Sequence, residues 1–318
     1  MSASPSSKVA GIEPVSFTRH ASDFAGFSED LGSSFARYGF AVVSDHGLDQ
    51  THIDGVYAAA KRFFALPEDV KRRYILAGGG GQRGYTAFGV ETAKGATLSD
   101  LKEFWHIGRE LPAGHPYREQ MPDNVWPSEV PEFHTEGLWL FNALDHLGVQ
   151  ILRAIAHYLA LPDRYFDDTV KDGNSILRLL HYPPITAEAP NVRAGAHEDI
   201  NTITLLLGAE EGGLEVLDRD GRWLPINPPP GSVVCNIGDM LSRLTNHVLP
   251  STTHRVVNPP PERRGVARYS MPFFLHFRPD FLIETLQSCI SEGRADAYPD
   301  AITAHDFLHE RLREIKLA

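Results

Sequence analysis

Two histidines and one aspartate are the residues of this chain best suited to holding a metal ion. His197 and Asp199 lie two residues apart, directly before an apolar run rich in β-branched residues, and His254 follows later in the chain. In an extended segment, side chains two residues apart project from the same face, so His197 and Asp199 can reach one ion while Glu198 points away. Two imidazoles and one carboxylate on one side of an ion form the facial triad of non-haem Fe(II) centres, which leaves coordination positions open for other ligands.

The His-x-Asp pattern is weak by itself, because the chain contains a second copy. With 15 histidines in 318 residues a chance match is expected, and His52-x-Asp54 is one. This copy lies in a stretch where apolar residues recur at helical spacing. Because residues i and i+2 diverge on a helix, we interpret it as a surface feature. The copy at His197 is favoured by its strand-like context, by His254 and by a further motif downstream.

That further motif, Arg268-x-Ser270, could bind a carboxylate. On a strand the two side chains share a face. A guanidinium group can hold a carboxylate by two parallel hydrogen bonds, and the serine hydroxyl can add a third. A metal triad followed by such a clamp suits a dicarboxylate cosubstrate that also reaches the metal.

Taken together, these motifs resemble the 2-oxoglutarate/Fe(II)-dependent dioxygenases, in their isopenicillin N synthase-like branch. Residues 38–48 are similar to the N-terminal region of that branch, and residues 83–85 and 100–104 are similar to its middle segment. Residues 180–184 resemble the strand end whose tyrosine contacts 2-oxoglutarate. One departure is Leu180, where many relatives carry an asparagine that helps to orient the metal-binding end of the cosubstrate.

The resemblance implies a role for each matching position. His197, Asp199 and His254 are the expected Fe(II) ligands and catalytic residues. Arg268 and Ser270 are expected to hold the far carboxylate of 2-oxoglutarate, with a further hydrogen bond from Tyr182. The alternatives are a structural salt bridge for Arg268 and a core position for Tyr182. The implied cofactors and cosubstrates are Fe(II), 2-oxoglutarate and O2.

Four further residues are candidates for the substrate pocket. Arg178 shares a strand face with Tyr182 and could meet either a substrate carboxylate or a salt-bridge partner. Phe104 and His106 alternate with Trp105 on a predicted strand at 101–107, and either set could face inward, although core packing is favoured for Trp105. Tyr85 lies beside the glycine-rich stretch 78–84. That stretch matches G-x-G-x-x-G but does not follow a strand, so we predict a flexible loop and not a nucleotide site.

The activity implied by the resemblance is oxidation of a C–H bond in a small organic molecule. Hydroxylation or desaturation would accompany the release of succinate and CO2. One alternative is an Fe(II)/O2 oxidase that needs no 2-oxoglutarate, as in isopenicillin N synthase-like cyclisation, where the Arg–Ser pair binds substrate instead. A zinc hydrolase is a second alternative, since histidine and aspartate also bind Zn²⁺. A non-catalytic jelly-roll binding protein is the third.

The elements that must position these residues follow from the spacing of apolar residues. A long helical pattern at 131–161 predicts a support for a sheet. From residue 175 onward short strands alternate with turn residues, which favours an antiparallel double-sheet jelly roll. We therefore expect a mainly β fold with flanking helices (α+β) around a double-stranded β-helix (jelly roll) core. The predicted strands are 176–182, 202–207, 214–217, 223–226, 231–237, 254–257 and 267–276.

The chain is expected to form one compact catalytic unit. We predict a disordered tail at 1–13, a mostly helical N-terminal region at 14–172 that packs on the core, an Fe(II)/2-oxoglutarate jelly-roll core at 173–280, and C-terminal helices at 281–318.

Composition restricts the partners and the compartment. The net charge of −11 argues against nucleic acid or an anionic membrane as a partner. Only two cysteines, Cys235 and Cys289, are present, which is too few for a disulfide framework and suits a reducing cytosol. No signal-like or membrane-length apolar run is found. We expect a cytoplasmic protein with a small-molecule substrate, present as a monomer or weak homodimer.

Overall fold

The structure, a computed structural model, describes residues 12–76, 81–91, 98–185, 192–207 and 212–314. Most of the predicted N-terminal tail, part of the glycine-rich loop (77–80) and the chain end (315–318) lie outside these ranges. No helix in the described ranges combines the length and the apolar character needed to cross a bilayer.

Helices occur mainly in the first half of the chain and at its end. Helix α2 begins after Asp23, whose side chain accepts a hydrogen bond from the Gly26 amide, and ends at Gly39, which adopts φ 69°. The helices are α1 (Arg19–Ser22), α2 (Phe24–Tyr38), α3 (Gln50–Phe64), α4 (Glu68–Lys71), α5 (Glu132–Tyr158), α6 (Asp167–Val170), α7 (Asp239–Leu244) and α8 (Ala304–Glu314).

The strands form two main sheets and one short pair. They are β1 (Pro14–Ser16), β2 (Phe40–Ser44), β3 (Gly84–Thr86), β4 (Glu103–Gly108), β5 (Ile176–Tyr182), β6 (Ala194–His197), β7 (Ile203–Leu207), β8 (Leu214–Leu217), β9 (Trp223–Pro225), β10 (Val233–Ile237), β11 (His254–Val256), β12 (Arg268–Leu275), β13 (Leu282–Ile283) and β14 (Ile302–Thr303).

The major sheet has eight strands in the order β1-β2-β10-β7-β12-β5-β4-β3, and the minor sheet has four in the order β6-β11-β8-β9. Neighbouring strands of the major sheet are antiparallel except β1 and β2, which are parallel. Side chains from β2 and β10 of the major sheet pack with side chains from β8 of the minor sheet in one buried cluster. The two sheets therefore form the expected jelly roll.

The period-two alternation of the major sheet separates two environments. Odd-numbered residues of β12 and β5, such as Phe273 and Leu177, join a large core cluster with helices α2, α3 and α5. Even-numbered residues of the same strands face the interior of the jelly roll. Helix α5 approaches closely at Gly148, where an added Cβ would lie 2.5 Å from Leu275 Cδ1.

Most of the predicted elements are confirmed within one to three residues, including α5 and the strands β5 and β8. The second His-x-Asp pair lies on α3, as predicted, and the His52 ring binds Glu136 and stacks on Trp139. Cys235 is buried in β10, and both cysteines are unpaired.

The C-terminal region differs from the expectation of several helices. Between residues 281 and 314 the structure has the pair β13–β14, a 3-10 turn at Gln287–Cys289 and one α-helix, α8. Gly293 and Pro299 interrupt the helical spacing, because glycine favours turns and proline cannot continue a helix.

Candidate metal centre

His197, Asp199 and His254 converge on one point inside the jelly roll. His197 ends β6 and faces His254 of β11 in the strand register, and their ring centroids lie 4.4 Å apart. Each Nε2 atom lies 3.8 Å from Oδ1 of Asp199. The three ligand atoms lie within 4.8 Å of one another, and no other such group of three is found among the described residues.

The expected strand geometry applies to His197 but not to Asp199. Strand β6 ends at His197, so Asp199 lies in the connection that follows and not on an extended strand. This connection is held by the N-terminus of α7, where the Asp239 amide donates to the Asp199 carbonyl at 2.7 Å. The side chains of His197 and Asp199 still point to the same site, because this connection, and not strand alternation, orients the carboxylate.

Backbone carbonyl groups fix the orientation of both imidazoles. Nδ1 of His197 donates to the Gly195 carbonyl oxygen at 2.7 Å, and Nδ1 of His254 donates to that of Thr252 at 3.1 Å. Because a carbonyl oxygen only accepts, each ring carries its proton on Nδ1. Each Nε2 is then a lone-pair donor directed at Asp199, which is the arrangement a metal-ligating histidine requires.

The Asp199 carboxylate is held by one of its two oxygens. Oδ2 accepts hydrogen bonds from Thr204 Oγ1 at 2.5 Å and Asn236 Nδ2 at 2.8 Å. Oδ1, the oxygen that faces both imidazoles, is the one that a metal ion could take. Burial disfavours the charged carboxylate, but the two histidines and these hydrogen bonds outweigh it and lower the pKa of Asp199.

The protonation of His197 also suits a metal. Removal of solvent within the cavity and the neighbouring His254 lower the pKa of His197 to about 4, so its imidazole is neutral at neutral pH. A neutral imidazole, a second imidazole and an ionised carboxylate form a donor set that fits Fe(II).

The three clamp candidates also lie together. Arg268 at the start of β12 pairs with Tyr182 of β5, and its guanidinium lies 5.0 Å from the centroid of the tyrosine ring. Arg268 Nη1 donates to Ser270 Oγ at 3.3 Å, and both side chains are buried. Leu180 packs with Tyr182 and Phe104, so the position that carries asparagine in many relatives offers only apolar surface here.

A cavity of about 470 Å³ opens beside the metal centre. His197 and Asp199 form one wall, and Phe274 of β12 together with His276, which directly follows β12, forms another. Helix α8 contributes a third wall through Leu308, Arg311 and Leu312.

The four pocket candidates fall into three positions. His106 and Arg178 line the cavity. Phe104 lies behind Arg178, whose guanidinium is 4.2 Å from its ring centroid. The expectation for Tyr85 is wrong: it is buried in the helix-facing core against Phe63, with its hydroxyl donating to Glu103. Because β3 pairs Tyr85 with Trp105, alternation places both on the helix side of the sheet.

Some lining residues were missed by sequence reasoning. Lys102, which alternates with Phe104 and His106, could have been found from period-two spacing alone. Glu91 and Asp100 reach the cavity from described positions outside the helices and strands, and α8 reaches it by long-range packing. No local sequence pattern signals either of these last two placements.

The comparisons with known proteins agree with this geometry. Residues 173–277 match the family described as the 2OG-Fe(II) oxygenase superfamily, and residues 12–129 match the N-terminal family of the non-haem dioxygenase in morphine synthesis. The chain belongs to the 2OG-Fe(II) oxygenase superfamily. It is 35% identical over 281 residues to the 2-oxoglutarate-Fe(II) type oxidoreductase hxnY of Emericella nidulans, covering 85% of this chain and 79% of that protein.

Two solved structures extend the similarity to nearly the whole chain. A 2OG-Fe(II) oxygenase family protein from Caulobacter crescentus is 64% identical, with a TM-score of 0.90 and coverage of 96% of this chain and 99% of that one. A full-length Neurospora crassa protein in complex with alpha-KG and thymine is 28% identical, with a TM-score of 0.85 and coverage of 97% and 98%.

This chain is therefore a 2-oxoglutarate-dependent Fe(II) dioxygenase with a jelly-roll core. Its cofactor is Fe(II), its cosubstrates are 2-oxoglutarate and O2, and it oxidises a small molecule. The relatives named as 2-oxoglutarate-dependent enzymes do not favour an oxidase without 2-oxoglutarate, a zinc hydrolase or a non-catalytic binding protein.

Proposed function

We propose that His197, Asp199 and His254 bind the catalytic Fe(II) of this dioxygenase. The observation that carries the proposal is the convergence of three ligand atoms on one point. In each ligand the second polar atom of the side chain, Nδ1 of a histidine or Oδ2 of the aspartate, is already held by a hydrogen bond to another group. Fe(II), when bound, supplies the activation of O2 and the oxidation of a C–H bond, coupled to conversion of 2-oxoglutarate into succinate and CO2. The chain's own part is to present neutral Nε2 atoms and one carboxylate oxygen on one side of the ion.

Arg268, Ser270 and Tyr182 are the groups that we assign to the far carboxylate of 2-oxoglutarate. A buried guanidinium fork offsets the loss of hydration that this carboxylate suffers on binding, and hydroxyl groups can satisfy its remaining lone pairs. Leu180 adds no polar contact, so the orientation of the cosubstrate depends on the clamp and on the metal centre.

The cavity beside the metal centre is the proposed site of a small organic substrate. His106 and Arg178 provide its polar wall, while Phe274, Leu308 and Leu312 provide apolar surface that excludes water from the reacting bond. The thymine held by the Neurospora crassa protein supports a substrate of this size. Hydroxylation or desaturation of one C–H bond is the proposed outcome.

The remaining proposals concern partners and location. The net charge of −11 supports the absence of nucleic acid and anionic membrane as partners. Two buried, unpaired cysteines support a cytoplasmic location. We propose a monomer or a weak homodimer.

The deciding experiment is an anaerobic titration of the Fe(II)-loaded protein with 2-oxoglutarate, followed by the visible charge-transfer band of the metal–2-oxo acid chelate. We expect a saturable band in the wild type and in Asp54→Ala, which alters the second His-x-Asp pair on α3. Asp199→Ala should lose iron, the band and succinate release while keeping its circular dichroism spectrum. A full band and full turnover in Asp199→Ala would refute the assignment of the ligands.

A further inference from the structure

Arg178 of β5 is a polar group of the cavity wall that is held by several contacts. Its guanidinium lies 4.2 Å from the ring centroid of Phe104 on β4 and 5.2 Å from that of Phe274 on β12. These strands flank β5 on its two sides. Contact with two aromatic faces restricts rotation of the guanidinium plane, so the edge directed at the cavity is fixed before any ligand binds.

His106 determines which edge of Arg178 remains available. Nδ1 of His106 donates to the Gly81 carbonyl oxygen at 2.5 Å, so Nε2 must accept, and Arg178 Nε donates to it at 2.6 Å. Burial, and secondly the charge of Arg178, lower the pKa of His106 well below 6.5. The imidazole is therefore a neutral acceptor that occupies the Nε edge of the guanidinium.

Glu91 and its neighbours balance the charge of this wall. Both carboxylate oxygens of Glu91 lie near Arg178 Nη1, at 3.4 and 3.3 Å. Lys102 Nζ lies 2.6 Å from Glu91 and 2.9 Å from Asp100. Burial opposes ionisation of Glu91, but Arg178 and Lys102 outweigh it and hold its pKa well below its usual range. Two cations thus face two carboxylates, and the wall carries no net charge.

The Nη2 group of Arg178 has no acceptor among the described residues. Together with Glu91 it offers a ligand two adjacent functions, an N–H donor and a carboxylate acceptor. A carboxylate group of a ligand could accept from Arg178, but it has no hydrogen to donate to Glu91 and is repelled by it. Leaving a buried polar group unpaired is costly, so this arrangement discriminates against such a ligand.

We propose that the substrate binds this wall through an uncharged amide-type edge, as in a lactam, imide or ureide, with its carbonyl accepting from Arg178 and its N–H donating to Glu91. The proposal rests on the proposed function, because the same cavity must hold the oxidised C–H bond beside the metal centre. Arg178 and Glu91 are then the residues that determine substrate class.

Matched neutral and anionic probes test the proposal on the wild-type holoenzyme. δ-Valerolactam and glutarimide are the neutral probes, and cyclopentanecarboxylate and benzoate are the anionic ones. Under anaerobic conditions each probe is titrated into the Fe(II)–2-oxoglutarate complex, and the shift of its charge-transfer band gives a Kd. We expect the neutral probes to bind at least tenfold more tightly and to increase succinate release in air. Tighter binding of the carboxylates, or no shift with either class, would overturn the proposal.

Glu91→Gln sharpens the test because it removes one negative charge and keeps the size of the side chain. The wall then carries a net positive charge, so carboxylate binding should strengthen about tenfold while lactam binding weakens. Glu262→Gln, on the exposed 3-10 turn Pro261–Arg263, is the matched control and should keep the wild-type preference. An unchanged preference in Glu91→Gln contradicts the proposal. A normal band with 2-oxoglutarate alone shows that the metal and cosubstrate sites are intact, so this failure is distinct from failure of the proposed function.

Discussion

At the residue scale, each candidate metal ligand is oriented by a hydrogen-bond partner that does not itself bind the metal. The carbonyl groups of Gly195 and Thr252 decide which nitrogen of each imidazole is free, and Asn236 decides which oxygen of Asp199 is free. Such partners fix orientation before the metal arrives, so less freedom is lost on binding. The sequence does not identify them, because two are backbone atoms and Asn236 lies far from Asp199 along the chain.

Arg268→Gln should weaken 2-oxoglutarate far more than iron. The glutamine side chain keeps polarity but loses the charge and the two-pronged geometry that suit a carboxylate. We expect the KM for 2-oxoglutarate to rise at least tenfold, which corresponds to about 1.4 kcal/mol. Iron content measured after gel filtration should stay at the wild-type level. Arg263→Gln on an exposed turn serves as control. An unchanged KM in Arg268→Gln would remove Arg268 from the clamp.

His276 should make the fold sensitive to acid. Burial lowers the pKa of His276 to about 4, so the unfolded chain binds a proton at pH values where the native chain does not. This contribution to stability is complete above pH 6.5 and is lost as the pH falls toward 4. Between pH 7.5 and pH 5 the loss is about 2 kcal/mol for this group.

Urea unfolding of the metal-free protein at these two pH values measures that loss. His276→Gln should lose about 2 kcal/mol less than the wild type over the same interval, because its side chain does not titrate. Equal losses in the two proteins would exclude His276 as a source of acid sensitivity.

At the element scale, the site lies where short elements meet, and this is where sequence patterns carry least information. Period-two alternation predicted that Arg268 and Ser270 share one face of their strand and that Arg178 and Tyr182 share one face of theirs, since long strands fix the direction of every side chain. It could not predict that β6 ends at His197, or that α7 follows β10, because segments of four to six residues offer too few repeats. Tyr85 was misplaced for the same reason.

Helix α7 should be necessary for the position of Asp199. Its first residues follow Gly238, where an added Cβ would lie 2.1 Å from the Asn201 carbonyl oxygen, a backbone atom that cannot rotate away. The Gly238 amide also donates to the Thr202 carbonyl at 3.0 Å. Gly238→Ala should therefore displace the connection that carries Asp199 and destabilise the fold by about 1–3 kcal/mol.

The expected result for Gly238→Ala is weaker iron binding together with a lower midpoint in urea. Gly265→Ala is the matched control, because an added Cβ there meets nothing within 4 Å. Wild-type iron affinity in Gly238→Ala would mean that α7 does not position the ligand connection.

At the scale of the whole molecule, the N-terminal region and the jelly roll share one sheet and one core. Strands β1–β4, all before residue 173, occupy both edges of the major sheet, and helices α2, α3 and α5 join the same cluster as β5, β7 and β12. The division at residue 173 describes sequence pattern well, since helical spacing does give way to strand spacing there. It does not mark a boundary in the packing, because local periodicity contains no information on which distant strands pair.

We therefore propose that residues 14–314 unfold as one cooperative unit. A domain boundary would need a region that few contacts cross, whereas β4 pairs with β5 along its whole length across the proposed division.

The metal-free protein is the correct sample for testing this proposal, because bound iron would stabilise its surroundings selectively. Far-ultraviolet circular dichroism reports mainly on the helices, and fluorescence of Trp105 and Trp223 reports on the N-terminal region and the minor sheet. Variants that keep only Trp105 or only Trp223 of the chain's four tryptophans should give urea midpoints and slopes that coincide with each other and with the circular dichroism signal. Two separated transitions would show that the helical region and the jelly roll are independent units.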